Sequence, residues 1–244
     1  MESSRKSTIG FSTGAIAYSN FRRGLQVLRD RNVTIVELSA LRMAEWVPLI
    51  QALAHLDLSD FDYVSIHLPS AMNATEERVV VQSLQPIQDR KFPLILHPDA
   101  IHDFARWRAF GGLVCVENMD MRKLIGRTEP ELAAIFRELP DASLCFDIGH
   151  AAQVDPTMTE AYFILKCYRE KIAQIHVSEV NSRSKHDSLS YATIVSFRDV
   201  AHMIPAGVPI ILETPVPPEK MQEQIDKATF ALALGADSEL VAYS

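Results

Sequence analysis

Along this chain, short apolar runs stop at a polar residue and give way to longer stretches in which apolar positions recur every three or four. The runs cover residues 8–11, 33–38, 63–66, 93–96, 113–116, 144–146, 172–175 and 208–212. Each is nearly continuous in apolar residues, the form taken by parallel strands covered on both faces. Pro93 suits the first position of its strand, where no ladder donor is needed. Between the runs lie amphipathic segments that predict helices. In SNFRRGLQVLRDRN, Ser19 or Asn20 is the cap, and Phe21, Leu25 and Leu28 share one face. In TEPELAAIFREL, Thr128 is the cap, Pro130 falls in the first turn, and Leu132, Ile135, Phe136 and Leu139 form the apolar stripe. TEAYFILKCYREK and PEKMQEQIDKATFALALG follow the same pattern.

Strands alternating with helices predict an α/β protein, and eight such units predict a single (β/α)8 TIM barrel spanning residues 1–244. The competing architecture is an open doubly wound sheet. Its usual glycine-rich phosphate loop after the first strand is missing, because GFSTGA lacks the G-x-G-x-x-G spacing. No repeat, low-complexity tract or linker marks a second domain.

Composition narrows the picture. A hydrophobic fraction of 48% in 244 residues is enough for a sizeable core. The net charge of −7 offers no basic footprint for nucleic acid. Cys115, Cys145 and Cys167 lack metal-type spacing, and the first two sit inside apolar runs, as buried free thiols in a reducing compartment would. No stretch approaches a membrane span, and the opening MESSRKSTIG has no apolar signal core. A cytoplasmic protein with no membrane partner is the expectation.

The residues that end the strands carry the chemistry. Ile66 leads to His67, Leu96 to His97, Val116 to Glu117, Phe146 to Asp147, Ile175 to His176 and Leu212 to Glu213. In a barrel these ends converge on one face, where catalytic groups of the fold gather. His150 and His186 would join from the loops. Packed carboxylates repel one another unless a cation supplies the opposite charge. A mixed imidazole and carboxylate set suits Zn²⁺ first, with Mn²⁺, Fe²⁺ or Co²⁺ as alternatives, better than an all-oxygen Mg²⁺ or Ca²⁺ site. Eight candidate ligands exceed what one ion takes, so two or three ions are expected. Taken singly, each residue also has a structural use, such as Asp147 capping the next helix. His55 and His202 fall in helical segments outside the set, and His102 opens IHDFARWRAF as a cap or solvent-facing residue. Glu37, inside the second strand, is expected to stay out of the set.

The segments CVEN, CFDIGHA, QIHVSEVNSR, KHDSLS and ILETP resemble the xylose isomerase-like TIM-barrel superfamily, which includes AP endonuclease family 2. The resemblance covers essentially the whole chain. It implies a metal quartet of Glu117, Asp147, His176 and Glu213. SIHLPS and LILHPDA resemble endonuclease IV-like segments that add His67 and His97, and the same group implies His150 and His186 at a third metal. Ser184 stands where that group has an aspartate, which leaves the third position short of a ligand. HVSEVNSR resembles the H-x-G-E-x-N-R segment of the epimerase branch, with Arg183 one residue late.

Two reactions follow from these residues. The favoured one is metal-dependent hydrolysis of a phosphoester, with Glu117 bridging two metals, Glu213 and His150 as further catalytic groups, and Arg183 and Lys185 as substrate contacts. The other is isomerisation or epimerisation of a sugar or sugar phosphate on one metal, with Glu117 and Glu213 moving the proton. A scaffold that binds metal without catalysis is a third option. A small phosphoester or sugar suits the acidic chain. DNA stays open as a substrate, with Arg122, Lys123, Arg183 and Lys185 the few basic residues at the relevant end.

Overall fold

A computed structural model describes residues 8–233. The opening MESSRKS, on which most of the leader reading rests, and residues 234–244, which hold the end of the PEKMQ segment, lie outside the described residues. The strands are β1 (Ile9–Ser12), β2 (Ile35–Ser39), β3 (Tyr63–His67), β4 (Leu94–Leu96), β5 (Val114–Glu117), β6 (Ser143–Asp147), β7 (Ile172–Val177), β8 (Glu179–Val180), β9 (His186–Asp187) and β10 (Ile210–Leu212). Eight of them close a barrel in the order β1-β10-β7-β6-β5-β4-β3-β2, each pair parallel. This is the predicted single TIM barrel. The short β8–β9 ribbon is antiparallel and stands apart from it, pairing Val180 with His186.

Every predicted strand is present, with ends shifted by a residue or two. The largest shifts are two residues, at 33–34 and 208–209 before β2 and β10 and at 176–177, where β7 runs on to Val177. The helices match too. Asn20, not Ser19, caps Phe21–Asp30 by accepting the Arg23 N–H at 3.2 Å. Thr128 occupies the cap position of Glu129–Glu138, but its side chain makes no cap hydrogen bond. Asp103, not His102, caps Phe104–Arg108, while His102 is exposed with its ring against the Met72 carbonyl.

The two-residue period of a strand decides what each face does. Phe11, Val36, Leu38, Val64, Ile66, Val116, Phe146, Ile175 and Leu212 belong to the large apolar cluster between strands and helices. The alternate positions form a separate interior, in which Ile95, Cys115 and Cys145 pack together. Two residues beyond these three, on the same face, come His97, Glu117 and Asp147. Ser65 precedes His67 and Gln174 precedes His176 in the same way. Layers of side chains filling a barrel from below are the usual construction of this fold. Here the top layer is ionisable. Cys115 and Cys145 are buried free thiols, and Cys167 is exposed. Among the described residues, no helix is long and apolar enough to cross a membrane.

Candidate metal centre

Six side chains meet at the carboxyl-terminal rim. His67, Glu117 and Asp147 are the last residues of β3, β5 and β6, His176 is the penultimate residue of β7, and His97 and Glu213 follow β4 and β10 directly. Register brings Asp147 beside His176 and Ile211 beside His176. All but Glu213 are buried, and its side chain is only 12% exposed.

A carbonyl oxygen can only accept, so a ring nitrogen that faces one carries the proton. His67 Nδ1 donates to the Leu68 carbonyl at 2.7 Å, which turns Nε2 towards the centre. There Nε2 faces Glu117 Oε2 at 3.3 Å, and His97 Nε2 approaches the same oxygen at 3.1 Å. The other Glu117 oxygen lies 3.2 Å from His176 Nδ1, which is also 3.5 Å from Glu213 Oε2. Glu117 thus stands between two donor groups, His67–His97–Glu117 and Glu117–Asp147–His176–Glu213. Within each group, one ligand atom per residue lies within 4.8 Å of the others.

Glu117 Oε2 and Asp147 Oδ2 are buried without a hydrogen-bond partner among the described residues, as are His97 Nδ1 and Glu37 Oε1. An unpaired buried carboxylate oxygen costs several kcal/mol in desolvation on the order of magnitude set by small-molecule transfer. Unpaired oxygens surrounded by imidazole nitrogens are the arrangement that a divalent cation completes. The donor set fits a metal.

The ionisation of the group follows the same geometry. Burial opposes charge on His67, but its contact with Glu117 and the charges of Glu37, Glu117 and Glu213 outweigh it and raise the imidazole to about 9. Burial raises the Asp147 carboxyl to about 6, opposed by His150 and reinforced by Glu213 and Glu117. Burial lowers His97. Glu117 resists burial and stays well below the usual carboxylate range because His176 and His97 face it.

Asp147 has two uses at once. Oδ1 caps the helix Ile148–Val154 by accepting the His150 N–H at 2.7 Å, and Oδ2 is left for the centre. Asn118, the residue after Glu117, clamps the strand end. Its Oδ1 accepts the Asp147 N–H at 2.7 Å and its Nδ2 donates to the Asp147 carbonyl at 2.8 Å. Gly149 lets the chain run close to β7, since a Cβ there would lie 2.3 Å from the Ser178 carbonyl oxygen.

His150 and His186 reach the same cavity but fall outside the three donor groups found among the described residues. His150 Nδ1 donates to the Asn118 carbonyl at 2.9 Å, and His186 Nδ1 meets Ser178 Oγ at 2.7 Å. Their rings lie 5.7 Å apart. Ser184 Oγ donates to Asp120 Oδ1 at 2.8 Å and contacts Gln153. Despite burial, hydrogen bonds from Arg122 and Ser184 hold Asp120 down at about 2.

The cavity over the centre measures about 310 Å³ and is lined by His67, His97, Glu117, His150, His186 and Glu213 together with Arg122 and Lys123. Arg183 and Lys185 are exposed on the turn of the β8–β9 ribbon and are not among the lining residues. His55 and His202 are exposed at helix ends, as expected.

Glu37 corrects the sequence reading. It points into the barrel, fully buried, with His176 Nε2 2.9 Å from Oε2, and with His67 and Glu213 it forms a third donor group. Its signal was phase: it precedes Ser39 by two residues and pairs in register with Ser65, so it shares the inward face. Gln174, Asn118 and Asp120 were missed for the same reason. Each serves the site through a neighbour that sequence spacing does not reveal.

The closed eight-stranded parallel barrel, with imidazoles and carboxylates ringed at one end, defines the class: a TIM-barrel fold. Among solved structures, the chain is similar to endonuclease IV from Thermus thermophilus, with 18% identity, a TM-score of 0.58 and coverage of 92% of this chain and 98% of that one. It is also similar to SacUVDE, at 14% identity and a TM-score of 0.56, covering 92% and 97% respectively. No family model and no curated protein matches the sequence.

Proposed function

We propose that the protein is a divalent-metal-dependent phosphoester hydrolase with a dinuclear site. The observation that carries this reading is the position of Glu117, whose two oxygens face two different donor groups. His67, His97 and Glu117 would hold one ion, and Glu117, Asp147, His176 and Glu213 the other, with Zn²⁺ the favoured metal. Bound there, the ions would supply Lewis-acid activation of water and charge stabilisation at a phosphoryl group.

The chain's own residues do the rest. Glu213, 3.7 Å from His186 Nδ1 and 3.5 Å from His176 Nδ1, would orient the nucleophilic side of the site. His150, whose Nδ1–H is fixed by the Asn118 carbonyl, has Nε2 left to take or give a proton. Arg122 and Lys123 line the cavity where a phosphate would enter. A cavity of about 310 Å³ suits a small phosphoester or one extruded group rather than an extended duplex. The name of endonuclease IV keeps a nucleic acid open as the source of that phosphoester. Arg183, which the resemblance to the epimerase branch would put over the substrate, does not line the cavity.

The test is elemental analysis of chelator-free protein together with assays on an abasic duplex, a small phosphodiester and a sugar phosphate. Two transition-metal ions per chain and phosphoester turnover that falls at least about 10²-fold in His67→Ala are expected. One ion per chain with sugar isomerisation unaffected by His67→Ala would overturn the proposal.

A further inference from the structure

Beneath the metal layer, the barrel encloses a charged residue that no part of the proposed chemistry uses. Glu37 is fully buried, and its Oε2 lies 2.9 Å from His176 Nε2 and 2.7 Å from the amide nitrogen of Gln174. Ser65 Oγ is a weaker neighbour at 3.4 Å. Gln174 is itself held by Tyr63, whose hydroxyl donates to the Gln174 carbonyl oxygen at 2.8 Å. The amide orientation is therefore fixed, with its nitrogen towards Glu37. A line of contacts runs from Tyr63 through Gln174 and Glu37 to His176, whose other nitrogen points at Glu117 and Glu213.

An imidazole offers a lone pair on one nitrogen only when the other carries the proton. His176 can face the quartet as a ligand through Nδ1 only if Nε2 is the N–H. Two neighbours compete over that choice. The Gln174 amide nitrogen, a donor lying 2.7 Å from Nε2, favours Nε2 as an acceptor. The Glu37 carboxylate favours Nε2 as a donor. A bare Nε2 would turn its lone pair on an anionic oxygen at 2.9 Å, whereas Nε2–H makes a charge-assisted hydrogen bond there. Nδ1 faces Glu117 and Glu213, so with a cation held there the Glu37 carboxylate would keep the remaining ring proton on Nε2.

We propose that Glu37 is a positioning residue of the metal centre, which fixes the Nε2–H form of His176 and so presents Nδ1 as a ligand. This rests on the metal-centre reading above. Carboxylates that orient ligating histidines in this way commonly contribute 10–100-fold in metal affinity, as an order-of-magnitude expectation. Gln174 and Tyr63 then serve by aiming Glu37.

The experiment has an affinity arm and a spectroscopic arm. Competition against a chromophoric chelator with Zn²⁺ should show about 10–100-fold weaker binding in Glu37→Leu with stoichiometry retained. In Zn²⁺-loaded protein, ¹⁵N-labelled histidine spectra of the wild type should show His176 protonated at Nε2, and Glu37→Leu should move that resonance and speed exchange of its proton. Glu37→Gln, whose amide oxygen still accepts the Nε2–H, should fall between the two, and it keeps the test alive if Glu37→Leu does not fold. Unchanged affinity and an unchanged His176 resonance in both variants would overturn the proposal. So would loss of one whole metal equivalent in Glu37→Gln, which would make Glu37 a ligand alongside His67 and Glu213. A wild-type protein that binds no Zn²⁺ would remove the metal-centre reading itself, an outcome distinct from the other two.

Discussion

Asn118 shows how much one buried amide can do in this barrel. It makes two reciprocal hydrogen bonds to the backbone of Asp147, and its own carbonyl fixes the His150 ring. Replacing it with alanine takes the Asn118 partner from the Asp147 N–H and one of the hydrogen bonds from its carbonyl in a fully buried place. The expected cost is about 2–3 kcal/mol of stability, read as a lower denaturant midpoint. Because Asp147 is also the cap and a ligand candidate, Asn118→Ala should weaken Zn²⁺ binding as well. Unchanged affinity in a variant that has lost stability would separate the two roles. At this scale the sequence showed which residues end the strands, but not which of them are held by a neighbour. His97, Glu117 and Asp147 were legible because each closes an apolar run. Glu37 and Gln174 were not, because a polar residue inside a run reads as a surface interruption until the inward face of the strand is known.

At the scale of elements, the segment after β6 carries most of the local constraint. Asp147 starts the helix Ile148–Val154, His150 is its first buried polar residue, and Gly149 sits between them against β7. An alanine at Gly149 would push its methyl into the Ser178 carbonyl oxygen and to 2.9 Å from the Val180 side chain. The helix start must then move away from β7, taking Asp147 and His150 with it. Gly149→Ala should cost about 1–3 kcal/mol and reduce metal affinity, seen as a lower Tm and a higher Kd by chelator competition. Wild-type values for both would mean that the backbone relaxes without moving the rim. The helices themselves were readable from spacing and caps, since those signals are local. The β8–β9 ribbon was not, because pairs of two residues leave no periodic pattern.

Whole-molecule behaviour should follow the charge gathered inside the barrel. In metal-free protein, His67 is raised from 6.5 to about 9, so the stability it contributes is full below 6.5 and is lost as pH rises through 9. Asp147 is raised from 3.8 to about 6, so its folded form is favoured while protonated, and that contribution is lost as pH rises through 6. Both push the same way. Chelator-treated protein should lose Tm between about pH 6.5 and 9, while the Tm gained by adding Zn²⁺ should grow over that window. At a Zn²⁺ concentration about 100 times Kd the gain should be about 2.7 kcal/mol, or several degrees for a chain of this size. Calorimetric scans at pH 6.5 and 9 would decide it for His67, since Asp147 releases its proton below that window, and an equal Zn²⁺ gain at both would count against proton release by His67.

The succession of apolar runs and amphipathic segments was enough to predict eight α/β units, since burial on both faces and helical periodicity are written locally along the chain, and the missing G-x-G-x-x-G loop favoured a closed barrel over an open sheet. The residue types at six strand ends likewise determined that the rim would be rich in imidazole and carboxylate. Tertiary structure alone decided that Glu117 faces two donor groups, that Glu37 turns inward to His176, and that Arg122 and Lys123 rather than Arg183 and Lys185 line the cavity. The physical reason is that strand register and phase set which atoms meet across the barrel, and those are properties of pairs of strands distant in sequence.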